Sequence, residues 1–341
     1  MTIQDKEEHY KRYGWEVNEE NLSTLPATAP QAARDLTKWL TLEGRRKQLE
    51  DWLANQNRDT NSIHGKFWPI GAWTHRMAHT SPNAANIVSV FSGTPTTPVE
   101  EVKEKYDGEM RSCWEADPGT WLVGTDADGI QLRILCHYTK SAVLRDAIVS
   151  GDKSMGTDIH SMNQKALGPI CKSRDDAKRF IYSWLLGAGI PKIASILGCT
   201  MPQAKQAVDN FLSAYPELKR LKNVTIPRDA ARGYFIGLDG RRVQCDSEHL
   251  MLAGYLQNGE TVVMKHSNVR WRKELDELGY EYKQVNFVHD EWQTVVYGIR
   301  DDASAVGHVQ AVSIREIGHD LNLFCPLDGS YSIGKNWKET H

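Results

Sequence analysis

Two carboxylates in this chain stand where chemistry is possible. In VNFVHDEWQTVV (285–296) one apolar run leads into His289-Asp290-Glu291 and another leads out, which reads as two strands displaying acids at their junction. Far upstream, in WLVGTDADGIQLRIL (121–135), Asp126 closes a short apolar strand-like segment. Aspartates at two strand ends, distant in sequence, can together hold divalent cations for phosphoryl transfer. Between them lies SRDDAKRFIYSWLLGAG (173–189), where Arg174, Lys178 and Tyr182 recur every four residues. On a helix that spacing puts all three on one face. Two cations one turn apart can grip a triphosphate, and an aromatic ring one turn further can stack on a sugar or base. A solvated charged face would look the same, so the stripe gains meaning only from its neighbours.

The elements that must position these groups are legible around them. A long helix is expected over 29–56, with Thr28 and Gln31 as a capping box, Pro30 in the first turn, and Leu36, Trp39, Leu40, Leu49 and Leu53 as its apolar positions. Residues 60–115 read as irregular, with a Thr/Pro cluster at 94–98. Residues 120–150 read strand, turn at Asp128-Gly129, helix. Ser173 with Asp176 starts a helix running through Gly187, and Thr200 with Gln203 starts another through about 214. GYFIGLDGRRVQC reads as a hairpin, 247–279 as helix, 285–296 as a second hairpin, followed by a helix and a last strand ending near Trp337.

Composition narrows the class. The 341 residues are 40% hydrophobic and 25% charged, ordinary for a globular chain, with room for more than one domain. A net charge of −3 excludes a globally basic nucleic-acid binder, so any DNA contact must come from local patches. The six cysteines, Cys113, Cys136, Cys171, Cys199, Cys245 and Cys325, form no CxxC and suit neither a zinc site nor a disulfide scaffold. Scattered thiols fit a reducing cytosol, so the expected location is cytoplasmic, the host cytoplasm if the chain is viral. The charged N-terminus MTIQDKEEHYKRYGW has no apolar signal region, and no run is long enough to span a membrane.

The order of the motifs is more specific than any of them alone. Asp126 in D-x-x-G-x-x-L-R, then R-x-x-x-K-x-x-x-Y, then VHDE, resembles motifs A, B and C of family A DNA polymerases, the DNA polymerase I family, and most of all the T-odd phage replicative enzymes. THRMAH (74–79), PNAANI (82–87), GLDGRRV (237–243), the Gln257 region and IGKNW (333–337) extend the resemblance from about residue 10 to the end. It implies an α+β right hand: an antiparallel palm sheet, helical fingers and a partial helical thumb. The expected division is partial thumb 1–57, palm 58–140, fingers 141–248 and palm again 249–341. No exonuclease domain is expected, and the chain reads as one part of a split polymerase or a truncated form, with a second chain supplying the remaining thumb and an exonuclease.

The resemblance also implies roles. Asp126, Asp290 and the main-chain carbonyl of Ala127 would hold two Mg²⁺ ions, with Mn²⁺ as a substitute. Arg174 and Lys178 would contact the triphosphate, with Lys178 able to protonate pyrophosphate, and Tyr182 would pack by the sugar and admit dideoxynucleotides. Arg76 and Gln257 would read minor-groove acceptors of the primer–template, which barely vary with sequence. Arg241 would lie near the duplex, with Lys219, Arg220, Lys222, Arg228, Arg232 and Arg242 as phosphate contacts or plain surface charge. His289 would position the primer terminus or be structural, and Glu291 would support the site. Gln131 stands where the family has a glutamate that gates ribonucleotides, and Leu186 where it has that glutamate's tyrosine partner. The pair is expected to be coherent: without the hydroxyl, a neutral amide avoids an unpartnered charge. Asp128 replaces a serine, adding metal affinity or merely making the turn, and Ala253 replaces an asparagine. Two other readings fit part of this pattern: a single-subunit RNA polymerase, against which Glu291 argues, and a non-catalytic DNA-binding or assembly subunit, against which the retained Asp126, Asp290, Arg174 and Lys178 argue.

Overall fold

The computed structural model describes residues 17–18, 22, 28–88 and 106–341. The Thr/Pro cluster at 94–98 lies outside them. The chain divides into two compact units, Met1–Lys66 with His79–Trp114, and Phe67–Ala78 with Glu115–His341.

The first unit carries helix α1 (Gln31–Asn55) and the short α2 (Asp107–Ser112). The expected capping box at Thr28 is not formed: Pro30 is the N-cap and no side chain caps the helix. Gln31 instead donates to Asp35 at 2.7 Å and accepts from Arg34 at 2.6 Å, because once the helix starts at residue 31 its side chain lies on the i+3/i+4 face. Trp52 is buried edge-on against Trp114, and Arg45 pairs with buried Asp107 at 2.9 Å. Trp39 and Leu53, expected to be apolar anchors, are exposed.

The second unit is α+β. Its sheet joins β1 (Trp121–Ala127), β4 (Tyr282–Val288), β5 (Glu291–Val296) and β6 (Gly329–Gly334) in the order β6-β1-β5-β4, every pair antiparallel. Sequence-distant strands thus become neighbours, and the register pairs Asp126 with Glu291. All six residues of β5 are buried, as a central strand requires. Helix α12 (Arg300–Asp320) lies across β1, and Gln310 bridges two strands from it. Thr125 Oγ1 donates to Gln310 Oε1 at 2.7 Å, and Gln310 Nε2 donates to Thr294 Oγ1 at 2.9 Å, satisfying buried polar atoms in pairs. The C-terminal segment covers the sheet at Gly124, where a Cβ would come within 2.1 Å of the Thr340 carbonyl oxygen.

The helices between β1 and β4 follow from their own signals. Gly129, with φ +55°, turns the chain from β1 into α3 (Ile130–Thr139). Then come α4 (Ala142–Val149), α5 (Ile159–Leu167) and α6 (Arg174–Leu185), the last capped by Ser173 Oγ accepting from the Asp176 amide at 3.0 Å. Helices α7 (Ile190–Leu197) and α8 (Met201–Ala214) follow, the latter opened by the expected Thr200/Gln203 box. Helix α9 (Pro216–Arg220), a π turn at Leu221–Thr225 and α10 (Ile226–Arg232) lead to the hairpin β2 (Tyr234–Ile236) and β3 (Arg242–Gln244). Helix α11 (Glu248–Leu278), capped by Ser247, spans 31 residues. Gly259 lets it approach α3 closely, since a Cβ there would sit 2.8 Å from Ile134 Cγ2. One apolar core, including Ile134, Phe180, Phe211, Phe235, Trp271 and Trp292, runs through this unit. No helix among the described residues is long and apolar enough to cross a membrane.

Candidate active site

The sheet brings the two aspartates to adjacent strand ends. The Ala127 amide donates to the Asp290 carbonyl at 3.0 Å, so the backbones carrying Asp126 and Asp290 are bonded to each other. Asp290 sits in the two-residue turn between β4 and β5, where His289 takes φ +55°. That left-handed conformation is strained for a residue with a Cβ.

The electrostatics are those of crowded acids. The Asp126 side chain reaches solvent, yet partial burial and the charges of Asp290, Glu291, Asp128 and Glu260 push its carboxyl up to about 8. Burial also raises Asp290, with Glu291 adding to the effect, while its own main chain, Arg76 and His341 oppose it. Such a site favours a bound cation. No trio of His, Cys, Asp or Glu side chains makes a ready metal cage among the described residues. The available donors, two carboxylates and main-chain oxygens, are hard ligands that match Mg²⁺ or Mn²⁺.

Helix α6 carries the next candidates. Burial first, then the charges of Asp290 and Asp126, raise the Tyr182 phenol. Its ring lies 6.0 Å from His160, which burial, Arg174 and Lys178 hold neutral with a pKa down to about 4. Arg174 binds Asp158, the N-cap of α5, through Nε at 3.1 Å and Nη2 at 2.8 Å. Burial of Asp158 is outweighed by those bonds and by Ser161, so its carboxyl stays well below the usual range. Lys178 is exposed one turn on, and Leu186, at the end of α6, is 49% exposed.

Glu260 is the group that the sequence reading missed. It is fully buried in mid-α11, one turn after half-buried Gln257 and beside buried Ala253. Arg76 Nη2 lies 2.6 and 2.7 Å from its two oxygens, and Gln131 Nε2 donates to it at 2.9 Å. Burial and Asp290 raise its carboxyl to about 7 against the pull of Arg76 and Gln131. The site does hold a buried carboxylate, carried by a different helix, and the neutral amide of Gln131 is one of its partners. Its signal was available as one acid inside the otherwise uncharged stretch LQNGETVVM, since an unpaired acid is almost never buried.

The remaining candidates divide. Glu291, the register partner of Asp126, is held by its own hydrogen bonds: it accepts from Trp337 Nε1 at 2.6 Å, Gln293 Nε2 at 2.5 Å and His341 Nδ1 at 3.0 Å. Asp128 accepts from Ser330 Oγ at 2.7 Å, a turn-holding contact. Arg241 pairs with Asp239 and, with His75 and Lys265, lines a basic cavity of about 390 Å³. Of the other cations, Arg228 and Arg232 pair with Asp229, Arg232 and Arg242 lie over the Tyr234 ring, and Lys222 lies over Trp184.

With this geometry in place, comparison with known proteins decides the lineage. The model of DNA polymerase family A matches residues 1–339. This chain belongs to that family. The "DNA-directed DNA polymerase" of Enterobacteria phage T3 is 30% identical over 354 residues, covering 95% of this chain and 48% of the relative. Its namesake from Escherichia phage T7 is 30% identical with the same coverage. DNA polymerase I of Chloroflexus aurantiacus is 24% identical over 96% of this chain and 34% of its own length. The chain thus spans about half the length of its phage relatives. A solved structure of the POL domain of Pol1 from M. smegmatis, in complex with DNA primer-template and dNTP, aligns with a TM-score of 0.76 at 17% identity, over 99% of this chain and 64% of that one. The fold of this family A member is therefore the right-hand polymerase fold.

Proposed function

We propose that this chain performs template-directed DNA synthesis, transferring a nucleotidyl unit from a dNTP to a primer 3′-OH. The observation that carries the reading is the meeting of Asp126 and Asp290 at backbones bonded to each other. Asp126, Asp290 and the Ala127 carbonyl would hold two Mg²⁺ ions. When bound, such ions lower the pKa of the primer hydroxyl and balance charge on the leaving pyrophosphate.

The chain's own residues do the rest. Arg174 and Lys178 bind the triphosphate, which requires Arg174 to exchange Asp158 for phosphate. The primer 3′-hydroxyl loses its proton to solvent, its oxygen forms a bond to the α-phosphorus as the bond to the bridging oxygen breaks, and Lys178 donates a proton to the leaving pyrophosphate. Tyr182 packs on the sugar, with Gln131 and Leu186 completing that pocket. Arg76, Gln257, Arg241 and His289 face primer–template DNA. In this reading the sheet is the palm, 141–248 the fingers and α1 part of a thumb. A partner chain supplying further thumb and exonuclease belongs to the same proposal.

The test is Mg²⁺-dependent extension of a labelled primer on its template, with Asp126→Asn and Asp290→Asn as controls. Extension lost in both variants is the expected result. No extension at high enzyme concentration, with DNA binding intact and no rescue by a candidate thumb chain, would replace this reading with a non-catalytic DNA-binding subunit.

A further inference from the structure

Gln131 turns its amide NH₂ toward Glu260, Nε2 donating to the carboxyl oxygen at 2.9 Å. That contact fixes the amide flip and leaves Gln131 Oε1 as the atom offered away from α11. The same carboxylate holds Arg76 Nη2 between its two oxygens. One buried acid on α11 therefore orients a side chain of α3 and another from residues 67–78. We propose that Glu260 is the positioning residue for sugar selection, locking Gln131 as a fixed wall beside the incoming nucleotide's sugar. The inference rests on the polymerase reading, which assigns Gln131 to that pocket. A ribonucleotide's extra hydroxyl is admitted only if Gln131 swings away, and swinging breaks a hydrogen bond to a buried charge, a contact stronger than a neutral one.

The contact can be reversed. Gln131→Glu alone sets two carboxylates against each other inside the protein. Gln131→Glu with Glu260→Gln restores a donor–acceptor pair with the charge on α3. Thermal melting and single-nucleotide incorporation, with kcat and KM for dNTP and rNTP, are measured for wild type, both single variants and the double variant. Gln131→Glu should lower Tm by about 5–10 °C, and the second substitution should recover most of that loss. Glu260→Gln alone should narrow the dNTP/rNTP ratio of kcat/KM by about tenfold, through a lower KM for the ribonucleotide. The double variant should recover the ratio.

Gln131→Glu as stable as wild type would overturn the contact itself. Recovery of Tm with an unmoved sugar ratio in Glu260→Gln would overturn positioning and leave a structural ion pair. A wild-type chain that incorporates neither nucleotide, with the Tm coupling intact, would overturn the polymerase reading and the sugar role together, while the melting data still establish the contact.

Discussion

Replacing Glu291 separates a structural acid from a primer-binding one. Its carboxylate is 6% exposed and accepts from Trp337, Gln293 and His341. The Trp337 and Gln293 donors are buried, so Glu291→Ala removes the acceptor oxygen they share. His341, 36% exposed, adds little after solvent screening. Breaking a buried charged network of this kind gives a loss of about 3–5 kcal/mol. Glu291→Gln keeps the one oxygen that accepts from both Trp337 and Gln293 and turns its NH₂ toward His341 Nδ1, which accepts in its neutral tautomer, so the loss should be smaller, about 1 kcal/mol. Urea melts at neutral pH measure both, through the shift in midpoint at constant slope. The pH dependence supplies a check. Although burial acts to raise it, hydrogen bonds from His341, Gln293 and Trp337 hold the Glu291 carboxyl below its ordinary 4.5. A depressed acid stabilises the fold above its unfolded value, and that stability is lost as pH falls through its folded value. The gap between wild type and Glu291→Gln should therefore close in acid. Glu291→Ala melting within about 0.5 kcal/mol of wild type while losing DNA binding would refute the reasoning and return Glu291 to the primer–template face.

Three further outcomes are expected. Asp126 is raised to about 8, so in the metal-free protein its own contribution to stability is full below the ordinary carboxylate range and lost as pH rises through about 8; Asp126→Asn in EDTA should flatten the melting profile across that window. Gly124→Ala drives a Cβ toward the Thr340 carbonyl and should lower stability by about 1–3 kcal/mol, read by urea melts, with increased proteolysis of the C-terminal segment. His289→Gly relieves the left-handed strain and should raise stability by about 1 kcal/mol in the same melts.

What could be read in advance was local. The Asp126 strand, the Ser173 and Thr200 caps, the long α11 and the hairpin around Asp290 are each written in adjacent residues, and each formed within a few positions of expectation. The antiparallel pairing of β1 with β5 came from motif order, because no local pattern joins residues 126 and 291. Contacts between distant side chains were not legible. Gln131 and Glu260 are 129 positions apart and meet because Gly259 lets two helices close up. Arg174 was read as free for phosphate because Asp158 lies on another helix, sixteen positions back. The Thr28 cap failed for the opposite reason: a matching local pattern lost to a helix that begins at residue 31.

The bond between the Ala127 amide and the Asp290 carbonyl ties two separate quantities together. Asp126 hangs from a strand end and Asp290 from the tight turn bonded to it, so the spacing of their backbones cannot drift without opening β1 from β5. Local fluctuations that fray helix ends and surface turns leave that spacing untouched. The free energy that protects the Ala127 amide from exchange with deuterium is thus the same free energy that preserves the geometry of the acid pair. Denaturant should abolish both in a single step, leaving no inactive intermediate with an intact sheet.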